Sequence, residues 1–378
     1  MAAVQTTKYS EENLPEFSPM MWSLGEIRAA IPARFFVRET GRGLSYMARD
    51  FVIAAILWWA ATYIDPAEKS ELARSTLGPV GAEVFRWSLW CAYWWVQGLN
   101  FTGIWVIGHE AGHGAFSANR TVCDIVGFIT HTLMWTPYFS WRISHHRHHS
   151  NHASMEKDEV YVPKTRSDLG IPLGKTEEID WEHYLGDTPL FTLYMLVRQQ
   201  VLAFPAYLLF NVSGQKSYPK WTNHFDPNSV IFNPSQRNAY YMFPWLCVSH
   251  WFIMITYLHH TDMKLPHYRK AEWSFQRGAA CTVDRPFLGW WGRFFLHDVA
   301  HYHVIHHFFP QMPFYHGEEA TQYLKAFIGE HYAASDQNPF TALWDSYNNC
   351  QFVEDEGDVV FYRNKKGESV RRPANNTG

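Results

Sequence analysis

The chain is poor in cysteine, and the little it has is unpaired in pattern. Cys91, Cys123, Cys247, Cys281 and Cys350 are scattered over 378 residues with no C-x-x-C pair. That excludes a disulfide framework and leaves reduced, structural thiols. Neither sign of charge is in excess: 32 basic residues face 36 acidic ones, for a net charge of −4 with no long charge run. A nucleic-acid partner is therefore excluded. No apolar run follows Met1, so no signal peptide is expected, and Asn375-Asn-Thr-Gly378 carries no lipidation or retrieval motif. A mean hydropathy of −0.27 is too low for a dense bundle of spans.

What is abundant is aromatic: 18 Trp, 20 Tyr and 27 Phe, residue types that gather where protein meets the membrane interface. Four stretches are apolar enough to cross a bilayer: Phe51 to Ile64, Trp87 to Ile107, Leu190 to Val212 and Ala239 to Leu258. The first is short for a core of about 30 Å and must borrow flanking residues. Val122 to Pro137 is hydrophobic but broken, and reads as interfacial or re-entrant. Near the N-terminus, Ser23-Leu-Gly-Glu26 is a capping box that predicts a short helix toward Ile31, lying on the bilayer surface.

Histidine carries the chemistry. Three clusters read His109-Glu-Ala-Gly-His113, His145-His-Arg-His148-His149 and His303-Val-Ile-His306-His307. Helical residues three and four apart share a face, so each cluster aims two or three imidazoles one way. Neutral imidazole suits iron, zinc and copper. Eight rings exceed the four ligands of one tetrahedral zinc, so two metal ions are the economical reading, with iron first among the elements. His131, His152, His224 and His250 read as ordinary core or surface residues. Carboxylates commonly hold ligating imidazoles from behind, and Glu110, Asp158 and Asp298 are the candidates. The competing motif is H-E-x-x-H at His109 to His113, a zinc protease signature with Glu110 as general base. It leaves six clustered histidines without a role.

Placement along the chain adds topology. The first cluster follows the second span without a break. The second cluster precedes the third span and the third cluster follows the fourth, so all three emerge on one face. Arg34, Arg38, Arg42, Arg363, Lys365, Lys366, Arg371 and Arg372 lie outside the spans on that face, which points to the cytosol. Of the glycosylation sequons at Asn119, Asn211 and Asn375, only Asn211 is then expected in the lumen.

These motifs resemble the three histidine boxes of membrane-bound fatty acyl desaturases, and most nearly the oleate Δ12 group of plants and fungi. The resemblance extends to Ser23-Leu-Gly-Glu-Ile-Arg-Ala-Ala-Ile-Pro32, Lys157-Asp-Glu-Val-Tyr-Val-Pro163, Asn211-Val-Ser-Gly214, His224-Phe-Asp-Pro227 and Thr282-Val-Asp-Arg285. It implies an all-α integral membrane protein with about four transmembrane helices and a cytosolic helical cap. The expected division is an N-terminal segment over 1–50, a desaturase domain over 51–355 and a polar tail over 356–378. It also implies His109, His113, His145, His148, His149, His303, His306 and His307 as ligands of a di-iron centre. His260 is a ninth, with His259 as its alternative. Family members act in the endoplasmic reticulum membrane on acyl chains linked to phosphatidylcholine or coenzyme A. They use O2 and take electrons from cytochrome b5 and its NADH-dependent reductase. The chain lacks a His-Pro-Gly-Gly haem motif, so cytochrome b5 would be a separate partner.

Two departures stand out. His301 occupies a position two residues before the third box where oleate desaturases carry an acid, and Ala111 stands where cysteine is common. The sequence Asp298-Val-Ala-His301 is similar to that of the divergent acetylenases, conjugases, hydroxylases and epoxygenases, and His301 is expected to touch the ligands. The segment between Asn233 and His259 is also shorter than usual, which leaves an inactive lipid-binding protein as a further reading.

Overall fold

A computed structural model describes residues 10–134, 136–171, 188–226, 228–232 and 246–374. Helix dominates. After the short strand β1 (Glu16–Phe17) come α1 (Leu24–Ala29), α2 (Thr40–Ala61), α3 (Ile64–Lys69), α4 (Glu71–His113), α5 (Arg120–Leu133) and α6 (Tyr138–Asn151). Beyond them lie α7 (Pro189–Phe210), α8 (Leu246–His260), β2 (Pro266–Tyr268), α9 (Phe275–Ala279), β3 (Val283–Asp284) and α10 (Gly289–Phe295). The chain closes with α11 (His303–Phe308), α12 (Gly317–Ile328), β4 (Ala333–Ala334), α13 (Pro339–Asn349), β5 (Val359–Phe361) and β6 (Arg372–Pro373).

Helices α2 and α4 form an antiparallel hairpin. Gln97 Nε2 donates to the Ala54 carbonyl at 3.2 Å and Asn100 Nδ2 to the Asp50 carbonyl at 3.1 Å, while the Thr40 and Ser117 hydroxyls meet at 2.7 Å. Helix α4 bends once, at Gly78, whose φ of 70° only glycine adopts cheaply. Pro79 then opens the long segment that runs unbroken to His113. Helix α5 lies close against α4 because Gly108 has no side chain: a Cβ there would stand 2.2 Å from the His131 ring. The outer face of α5 shows Ile125, Phe128, Ile129 and Leu133, in keeping with an interfacial helix.

Two helices are long and apolar enough to cross a membrane among the described residues, Thr40–Lys69 (α2 with α3) and Pro189–Phe210. Both bare apolar side chains such as Val52, Ile56, Leu193 and Val197 on the outside. The Trp87 to Ile107 stretch is helical within α4, but its Trp, Tyr, Asn and Gln residues lower its hydropathy. The Ala239 to Leu258 stretch falls partly outside the described residues, as do the shortened segment near Asn233 and the Asn375 sequon.

Three expectations are corrected. The α7 stretch does not carry Asn211 away from the histidine clusters. Helices α7 and α8 pack against each other, with His250 Nδ1 donating to Gln200 Oε1 at 3.0 Å and Phe204 4.4 Å from Phe252. Both end at the clusters. Asn211 is buried there, and the adjoining Ser213 binds Val160 and Val162; these backbone bonds to the loop after the second box hold the turn on that face. Second, α1 has its capping box, with Glu26 N donating to Ser23 Oγ at 3.2 Å and Ser23 N to Glu26 Oε2 at 2.8 Å. Its Ile27, however, is buried against α12 beside Leu324 and Ile328 rather than turned to a bilayer. Third, the division at residue 50 cuts through α2. The tail beyond 355 is tied in by β2–β5 and β1–β6 pairing, with Pro266 opposite Phe361 and Glu16 opposite Arg372.

Candidate metal centre

Four helices deliver the imidazoles: the last turn of α4, the second half of α6, the end of α8 and the whole of α11. The ligand-capable atoms of His109, His113, His145, His149 and His306 lie within 4.8 Å of one another, and so do those of His148, His260 and His307. His109 Nε2 is 2.8 Å from His306 Nε2, and His149 Nε2 is 3.1 Å from His145 Nε2. Imidazole–metal bonds of about 2.1 Å put neighbouring ligand atoms about 3 Å apart, so this spacing fits a shared ion. Burial first, and then the neighbouring rings, hold His109, His113, His145, His149, His260 and His307 well below the ordinary imidazole range. Burial alone pushes His306 down to about 3. Neutral rings keep a lone pair for a metal. Buried ring nitrogens of His113, His260 and His307 have no hydrogen-bond partner, and in His109 and His149 the unpartnered atom is Nδ1 rather than the Nε2 that meets a neighbouring ring.

His303 falls in neither group. Its Nδ1 donates to the Val299 carbonyl at 3.1 Å, which frees its other nitrogen, and its ring lies 4.8 Å from His307 and 5.2 Å from His260. His259 and His260 differ in their surroundings. His259 has both ring nitrogens on backbone carbonyls, of Ile255 and, at 2.6 Å, of Ala300, whereas His260 joins the second group.

Asp158 supports the second group. His148 Nδ1 lies 3.0 Å from each of its oxygens, and the backbone N–H groups of Val160 and Tyr161 also donate to it. Burial raises this carboxyl, but His148 and His152 outweigh burial and hold it below the ordinary carboxylate range. Glu110 is buried with both oxygens unpartnered, 3.6 Å from His306 Nδ1, and burial pushes it up to about 8.

Asp298 and His301 do not reach the imidazoles. Asp298 is drawn off by Arg293, whose Nε donates at 2.7 Å. The His301 ring packs on Tyr302 at 6.3 Å, and its nitrogens are unpartnered. Asp298 and the preceding His297 sit in left-handed conformations (φ 59° and 52°). Ala111 is fully buried on the opposite side of α4 among Ile107, Phe116 and Cys123.

Sequence reasoning missed His152. It is buried, its ring lies 4.4 Å from His260 and 4.7 Å from His307, and its nitrogens face Asp158 at 3.6 Å and the Cys281 carbonyl at 3.1 Å. The signal was present in the spacing, since His152 follows His148 by four. Also unforeseen is a buried triad behind the site, in which His297 Nε2 donates to Asp50 at 2.6 Å and Arg49 binds the other oxygen at 2.8 Å. A cavity of about 160 Å³ opens among α4, α7 and α8. Trp105, Val106, Ala203, Phe252 and Ile253 line it, and it ends on His109, His145, His148, His260 and His303.

Helices that pool neutral imidazoles from four directions at the end of an apolar cavity define a mainly helical protein that could hold metal beside an apolar pocket. The profile of the fatty acid desaturase family matches residues 86–339. Similar proteins include a Δ12 fatty acid desaturase of Mortierella isabellina, 42% identical over 93% of this chain and 91% of that protein. The oleate hydroxylase of Claviceps purpurea is 34% identical over 92% of this chain and 82% of its own. An acyl-lipid (9+3)-(E)-desaturase of Dimorphotheca sinuata is 35% identical over 96% and 98%. The chain belongs to the fatty acid desaturase family and is an oxidoreductase; the zinc protease reading of His109 to His113 is set aside.

Proposed function

We propose that the chain is an O2-dependent Δ12 desaturase that converts lipid-linked oleoyl chains to linoleoyl. The observation that carries the reading is the apolar cavity ending on both imidazole groups. His109, His113, His145, His149 and His306 would hold one iron, and His148, His260 and His307, with His303 beside them, the other. Such a pair supplies the oxidising power toward an unactivated CH2–CH2 unit that no side chain has. The balance is simple: two hydrogens from the chain, two external electrons and two protons reduce O2 to two waters.

The protein's own residues bind and orient. Trp105, Val106, Phe252 and Ile253 exclude water and confine the chain to one path. Thr102 and Thr256, which also line the cavity, spend their hydroxyls on the Gly98 and Phe252 carbonyls, so they offer the hydrocarbon no free polar group. Asp158 and His152 fix His148, and Glu110 stands behind His306.

The α2–α4 hairpin would cross the membrane, with α7 and α8 embedded beside it and the boxes in the cytosol. Asn211 lies toward the histidine-box face, where Ser213 is held by Val160 and Val162, so α7 would end on that face. An endoplasmic reticulum location, a phosphatidylcholine- or coenzyme A-linked C18 chain, and a separate cytochrome b5 with its NADH-dependent reductase complete the reading. The 42% identity to a Δ12 desaturase supports it. His301, remote from the rings, gives no support to a hydroxylase, conjugase, acetylenase or epoxygenase outcome.

The test is the fatty acid profile, by gas chromatography and mass spectrometry, of a yeast that makes oleate but no linoleate. New linoleate is expected. An oxygenated, acetylenic or conjugated product, or none with the protein present in membranes, overturns the assignment.

A further inference from the structure

Electrons must enter a cluster whose candidate ligands are buried or half-buried. The second box contains one ring that is different. His146 is exposed, yet its imidazole stacks on His113 with ring centroids 5.2 Å apart and planes 28° from parallel. Its Nε2 donates to the Gly112 carbonyl at 2.9 Å, which fixes the ring in that pose. His113 in turn belongs to the five-imidazole group. His146 thus joins solvent to the metal-capable rings by a single aromatic contact.

The surroundings are cationic. Arg142, one turn before His146 on α6, and Arg120, at the start of α5 with about half its side chain exposed, share one carboxylate, Asp124. Arg38 is turned to the Gly114 carbonyl at 3.1 Å. Three guanidinium groups against one carboxylate leave an excess of positive charge around the exposed ring. The apolar outer face of α5 begins beside Arg120, which would keep this patch near a membrane surface.

We propose that His146, framed by Arg38, Arg120 and Arg142, is the docking and electron-entry surface for an acidic haem protein. This rests on the desaturase reading. Each product takes two electrons, delivered singly as two ferrous haems become ferric, while two protons come from water. Complementary charge raises the encounter rate and makes it salt-sensitive.

The test uses the full-length protein in lipid vesicles, with the soluble haem domain of a cytochrome b5 as probe. Arg120→Glu should weaken binding of that domain roughly three- to tenfold and flatten its salt dependence. His146→Ala should bind it normally but oxidise ferrous haem roughly tenfold more slowly. Both variants should keep wild-type iron content and, after chemical reduction with dithionite, wild-type product in a single turnover. Wild-type haem oxidation in both variants overturns the proposal, and iron loss in His146→Ala reassigns that ring to ligand positioning and overturns it too. If the wild type itself neither oxidises the haem nor forms product, the desaturase reading has failed instead.

Discussion

His148 and Asp158 meet through Nδ1 and both carboxylate oxygens at 3.0 Å, fully buried. The bond fixes the tautomer of His148, so that its other nitrogen is the one left for metal. Asp158→Asn keeps the shape but can present an N–H where His148 needs an acceptor. A fall of roughly 10- to 100-fold in iron affinity or activity is expected, measured by metal content against free iron and by product yield. Unchanged iron affinity and yield would detach Asp158 from the site.

Ligand and scaffold roles separate at two adjacent residues. His260→Ala should lose iron while the protein still folds, because it removes one of three rings from the second group. His259→Ala should instead lower thermal stability, since the buried ring that donates its one N–H to the Ile255 or Ala300 carbonyl is lost, at about 1–3 kcal/mol for the group left unsatisfied. Metal analysis beside a melting curve distinguishes them, and iron loss confined to His259→Ala would reverse the assignment.

Acid should destabilise the fold through histidines outside the metal groups. Burial depresses His224 to about 4 and His267 to about 3. With the folded value below the unfolded one, the unfolded chain binds more protons between those limits. Stability is therefore complete above pH 6.5 and falls as pH drops toward 4, by up to about 1.4 kcal/mol per pH unit for each ring. His267→Phe should flatten the decline in melting temperature between pH 6.5 and 5; a slope equal to wild type contradicts this origin.

Gly108→Ala tests the approach of α5 to α4. The added methyl would meet the His131 ring at 2.2 Å and Thr130 Oγ1 at 2.5 Å, so α5 must move, at a cost of about 1–3 kcal/mol. The His131 to Trp105 carbonyl bond of 3.0 Å lengthens with it. Reduced melting temperature with intact iron binding is expected, and a neutral substitution would show the interface to be loose.

How far the sequence could be read depended on whether the information was local. Histidines three and four apart declared their shared faces, and Ser23 and Glu26 declared a capping box, because both follow from helix geometry over one turn. The packing of α7 on α8 was hidden, since it rests on pairs such as Gln200 with His250. Asp298 was misread although its partner is local: Arg293, five residues before it, holds the carboxylate, while the third box lies five residues after. His152 was legible by spacing and was passed over because its nitrogens serve Asp158 and a carbonyl, which only contacts disclose.

Helix α4 has no break between Trp87 near its far end and His109 at the cluster. Those 22 residues span about 33 Å, close to the roughly 30 Å of a hydrocarbon core. In the proposed arrangement the rod that crosses the lipid also sets the height of the first two imidazoles above it. One inserted residue in this stretch would raise His109 by about 1.5 Å and swing it about 100° around the axis, out of line with α6 and α11. Membrane thickness and reactive geometry are thus written into a single length, and any adjustment to a different bilayer has to be absorbed before the bend at Gly78.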